Sequence, residues 1–76
     1  MSWYKAEADD DFDDQAVVVE LSDDYNRDGT IVGYTTGDQA LDDADTVARF
    51  ISENEHQPAG PMREELNYTV AAGEEF

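Results

Sequence analysis

The sequence predicts an α+β fold, a small antiparallel sheet of three to four strands with one covering helix, in the order β-β-β-α-β. Three observations predict it. Three early segments read as strands, the first by alternation and the second by Val17, Val19 and Leu21 at every other position. A middle segment instead repeats its apolar residues at helical spacing, with Leu41, Ala44, Val47, Ala48 and Ile51 on one stripe. Alternation then returns at residues 66–72.

Ser2 to Ala8 places Tyr4, Ala6 and Ala8 on one side and Trp3, Lys5 and Glu7 on the other, which reads as an edge strand. Residues 9–14, five aspartates around Phe12, form an acidic loop. Gln15 to Ser22 is the clearest strand, with Val17, Val19 and Leu21 on one face. Residues 23–29 turn the chain, sharpest at Asp28-Gly29, and Thr30 to Thr36 returns with Ile31, Val32 and Tyr34. Thr36-Gly37-Asp38-Gln39 has the form of a capping box for the helix. Asp38, Asp42 and Asp43 suit its positive N-terminal end, and Arg49 lies toward its other end. Asn54 is the expected stop, and Pro58 forbids much extension. Beyond the connector 57–61, residues 62–65 suit one helical turn with Pro61 at its first position. Leu66, Tyr68, Val70 and Ala72 then share one face of a last strand.

Length and charge bound the rest. Seventy-six residues make one small domain. With no cysteine, neither a disulfide nor a thiolate metal site is available. Twenty carboxylates face four basic residues, Lys5, Arg27, Arg49 and Arg63, for a net charge of −16. In dilute buffer that self-repulsion opposes compaction. At about 1 M salt the Debye length falls to roughly 3 Å and most of it is screened. Many acids and a single lysine are the surface expected of a protein from a halophile or a halophile's virus. The acids occur in almost every segment, whereas a mimic of a phosphate rail would concentrate them on one face. Four scattered cations cannot neutralise a phosphate track, so no nucleic-acid partner is expected. Met1-Ser2-Trp3-Tyr4-Lys5 has neither a basic start nor an apolar run, and no segment is apolar enough to span a membrane. The expected location is a high-salt cytoplasm or a virion.

Catalysis is not expected. His56 is the single histidine and lies beside a Pro-Gly connector, so no nucleophile–base–orienter set can be assembled. Carboxylates are so frequent that no pair stands out as acid and base. No cofactor is expected. Asp24-Tyr25-Asn26-Arg27-Asp28-Gly29-Thr30-Ile31 matches the first eight positions of a calcium loop, with Asp24, Asn26 and Asp28 as the oxygen donors. The twelfth position is Thr35, where such a loop needs a bidentate carboxylate, and the preceding residues read as a strand. A hairpin turn explains the same residues; a calcium-stabilised binding module is the alternative.

Gly33-Tyr34-Thr35-Thr36-Gly37-Asp38, followed by Leu41-Asp42-Asp43-Ala44, resembles the strand-to-helix junction of HicB-type antitoxins. That resemblance implies a β-β-β-α-β domain that binds and silences a small RNase toxin. The residues themselves point first to a protein-interaction subunit of a larger assembly, with a protein partner or further copies of the chain. Trp3, Tyr4, Phe12 and Phe50 are the candidate contact residues, because aromatics in an acidic surface mark protein contacts.

Overall fold

The computed structural model describes residues 2–22 and 29–73. Strands β1 (Ser2–Ala8), β2 (Gln15–Ser22), β3 (Thr30–Thr36) and β4 (Tyr68–Val70) form one antiparallel sheet in the order β1-β2-β3-β4. Helix α1 (Ala40–Asn54) packs on one face of it, and a short helix α2 (Gly60–Glu65) leads into β4. This is the β-β-β-α-β order the patterning predicts, with α2 where a single turn was expected. Among the described residues, no helix is long and apolar enough to cross a membrane.

Register assigns each side chain to a face, because partners across a ladder share one. Trp3, Lys5 and Glu7 stand opposite Leu21, Val19 and Val17, while Tyr4, Ala6 and Ala8 stand opposite Glu20, Val18 and Ala16. The second set belongs to the helix side: Ala16 and Val18 are in the core, with Tyr4 and Ala6 packed against it. Between β2 and β3 the register shifts at Val18/Val19, so that β3 carries one extra residue. The bulge turns Val32 as well as Gly33 toward the helix side, where Val32 is fully buried.

The core is made of small pieces: Ala16, Val18, Val32, Ala40, Ala44, Val47, Ala48, Ile51 and Tyr68. Three alanines on α1 leave little side chain between helix and sheet, and Val47 and Ile51 fill what remains. The one large ring, Tyr68, lies over Gly33, where a Cβ would come within 2.1 Å of its hydroxyl and 2.4 Å of its ring. That hydroxyl donates to Gln57 Oε1 at 2.7 Å, and Gln57 Nε2 donates to the Val32 carbonyl at 3.3 Å. Burial pushes the Tyr68 phenol up to about 12, against the smaller opposing effects of the Gln57 hydrogen bond and Arg63. No buried side-chain nitrogen or oxygen among the described residues lacks a partner.

Three local expectations are corrected. Thr36 does not cap α1: the N-cap is Gln39, with no side-chain cap bond, and Thr36 is the last residue of β3, its N–H donating to the Asn67 carbonyl. The tie between strand and helix is made one residue earlier, by the buried Thr35 hydroxyl donating to the Ala40 carbonyl. Leu41 is half exposed, and Ala40 takes its place in the buried stripe. At about 100° per residue Leu41 stands well round the helix from the axis through Ala44, Val47 and Ile51. Finally, the alternation over 66–72 yields a strand of only three residues, because Leu66 caps α2 and Asn67 turns the chain at φ 51°.

Candidate functional site

The sheet has two faces and α1 covers one. The other is built by β1, β2 and β3 together. Trp3, Lys5 and Glu7 line it from β1, Val17, Val19 and Leu21 from β2, and Ile31 and Tyr34 from β3. The origin is visible in β2. Residues 16–19 are a continuous apolar run, the pattern of a strand buried on both faces, whereas a strand with one wet face alternates. Ala16 and Val18 serve the core, which leaves Val17, Val19 and Leu21 for the open side.

That side is only partly closed. Val19 and Leu21 are buried, and Gly29 (φ 81°) passes so near that a Cβ there would fall 2.1 Å from Val19 Cγ1 and 3.0 Å from Leu21 Cδ2. Trp3 and Ile31 remain 49% and 53% exposed at the margins of the same patch. Lys5 Nζ and Glu7 Oε1 pair at 2.9 Å beside Trp3, so the only lysine is already matched to a carboxylate.

The four aromatic candidates do not form one surface. Trp3 is on the open face. Tyr4 is on the helix side, packed against the core, with its hydroxyl donating to Glu20 Oε2 at 3.1 Å. Phe12 is exposed in the β1–β2 loop, which closes through Asp9 and Gln15. Phe50 packs against the core from the flank of α1 and meets His56 edge-to-face, with ring centroids 5.4 Å apart. The residues that share the open face with Trp3 are aliphatic: Leu21 stands directly across from it on β2, and Ile31 stands across from Val19 on β3. The uninterrupted run in β2 is the sequence signal that finds them.

The donors proposed for calcium, Asp24, Asn26 and Asp28, lie outside the described residues. Thr35, at the twelfth position of that loop, points into the core. Among the described residues, no three His, Cys, Asp or Glu side chains group so as to hold a metal ion. The surface depressions are shallow. One is lined by Val70, Ala71, Ala72 and Gly73, and another, beside α2, by Thr46, Arg49, Phe50, Glu53 and Met62. Neither converges polar groups on a point. Comparison with known protein families, curated proteins and solved structures finds no match.

Proposed function

We propose that this chain is a non-catalytic protein-interaction subunit of a larger assembly, working in molar salt in a halophile or a halophile's virus. One observation carries the reading: β2 is apolar on both faces, yet Trp3 and Ile31 stay half exposed on the face that α1 does not cover. A small domain with a small core gains little by leaving a tryptophan in water. Docking a partner there removes that surface from water, and strong salt strengthens such burial. The same salt screens the −16 charge that otherwise repels an acidic partner.

Trp3→Ala tests it. An anchoring tryptophan commonly costs about 2 kcal/mol or more when truncated, roughly thirtyfold in affinity. The variant should keep its circular dichroism in molar KCl and lose its place in the assembly on size-exclusion chromatography. If Trp3→Ala unfolds the isolated domain, Trp3 is core and the docking surface is elsewhere. If the wild-type chain stays monomeric and retains nothing from its native lysate, the reading fails.

A second reading, neutralisation of a small RNase toxin, draws on the shared β-β-β-α-β order. Inhibition of a basic RNase encoded beside this chain would select it over the first.

A further inference from the structure

The sheet ends at β1, and the hydrogen-bond alternation shows how that end is built. In an antiparallel ladder, pairs that exchange backbone bonds alternate with pairs that do not. Asp9 N–H donates to the Gln15 carbonyl at 3.1 Å, in the register that sets Ala8 opposite Ala16. Glu7, Lys5 and Trp3 therefore turn their backbone groups toward β2. On the next ladder Gly37 N–H donates to the Asp14 carbonyl at 2.8 Å, so the even-numbered residues of β2 serve β3 and the odd-numbered ones serve β1, as this requires. The N–H and C=O of Ala6 and Ala8 point away from the sheet. Among the described residues no strand lies beyond them.

We infer that this edge pairs with the β1 edge of a second copy, antiparallel about a two-fold axis at Ala6, joining two sheets into one. Charge selects the register. Centring the pair on Ala6 sets Lys5 of each copy against Glu7 of the other, twice, with Trp3 opposite Asp9. Centring it on Lys5 sets lysine against lysine, and centring it on Glu7 sets glutamate against glutamate. Odd-numbered residues fall at non-bonded positions in the new ladder, where side chains approach most closely. Ala6 and Ala8 add no bulk at the seam.

The helices fit the same geometry. Helix α1 lies over β1 and β2. Two sheets joined about 4.8 Å apart at β1 hold their helices roughly 10 Å apart, a packing distance. Phe50 and its flank of α1 border Met62 of α2, on the β4 side, so half-exposed Leu41 is on the flank that faces this seam.

This inference rests on the interaction reading and names a second copy as one partner, at the β1 edge that borders the open face. Sedimentation equilibrium on the full chain tests it. Association should strengthen about tenfold or more between about 0.3 M and 3 M KCl, as the mutual repulsion of two acidic copies is screened. Ala6→Pro should abolish the dimer while circular dichroism shows the monomer still folded, since proline is tolerated on an edge where the N–H faces solvent. Lys5→Glu should weaken the dimer, and Lys5→Glu with Glu7→Lys should restore it. A monomer at every salt concentration overturns the inference and leaves the open face to be judged by Trp3→Ala. A dimer that survives Ala6→Pro, or one that the double exchange does not restore, overturns the edge register.

Discussion

Gly33→Ala decides between a local rule and the tertiary structure. Gly33 sits inside a strand without a positive φ, so alanine should stabilise it by roughly 0.5–1 kcal/mol through backbone entropy alone. The packing around it reverses the sign. The new methyl would lie 2.4 Å from two ring carbons of Tyr68 and 2.1 Å from its hydroxyl, so the ring must move by about 1 Å to reach ordinary contact. Overpacking of this kind costs about 1–3 kcal/mol. The moved ring also loses its 2.7 Å bond to the buried Gln57, a further cost of about 1 kcal/mol. The expected loss is roughly 2–4 kcal/mol, a large share of the total for a domain this small. Thermal unfolding in molar KCl should show a midpoint lower by roughly 10–25 °C. In a Tyr68→Val background the same substitution should become neutral or slightly stabilising. An unchanged or higher midpoint for Gly33→Ala alone would refute the packing of Tyr68 over β3.

The remaining predictions concern the buried polar groups and the charge. Tyr68→Phe should remove the highest-pH phase of the tyrosine absorbance titration, since burial pushes this phenol up to about 12. The fold holds the proton that an unfolded tyrosine releases near pH 10, so this contribution is intact below that pH. It is lost toward pH 12 at up to about 1.4 kcal/mol per unit; a wild-type alkaline unfolding curve matching that of Tyr68→Phe would contradict it. Thr35→Val should cost about 1 kcal/mol in urea unfolding by removing the bond to the Ala40 carbonyl, and no change would show that the strand–helix tie adds nothing. Far-UV circular dichroism from about 0.1 M to 3 M KCl should show structure gained with salt, and equal stability throughout would sink the halophile reading.

Alternation made β1 legible and helical spacing made α1 legible because each has a wet side, while β2 stood out by its apolar run. The misreadings fall where that contrast fails. A capping box is a local pattern, yet Thr36 had already been taken by the β3–β4 ladder, which no local window reveals. Leu41 lies about a quarter-turn from the axis through Ala44, Val47 and Ile51, whereas Ala40 lies close to it, and a lone alanine carries a weaker apolar signal than a leucine. The bulge that turns Val32 inward breaks the period of two and leaves no compositional trace. At the site, opposite faces for Trp3 and Tyr4 follow from adjacency in a strand. That Ile31 shares the open face with Trp3 depends on the β2–β3 register and its bulge, which the sequence does not display.

The open face is tested most directly by the emission of Trp3, the single tryptophan of the chain. In molar KCl the isolated protein should emit as a partly solvated indole and be quenched readily by acrylamide, in keeping with its 49% exposure. In the complex recovered from a native high-salt lysate, the emission should shift to the blue and the quenching should fall severalfold, as expected for an anchor enclosed at an interface. Equal quenching in the isolated and assembled protein would show that the partner binds elsewhere and would contradict the account.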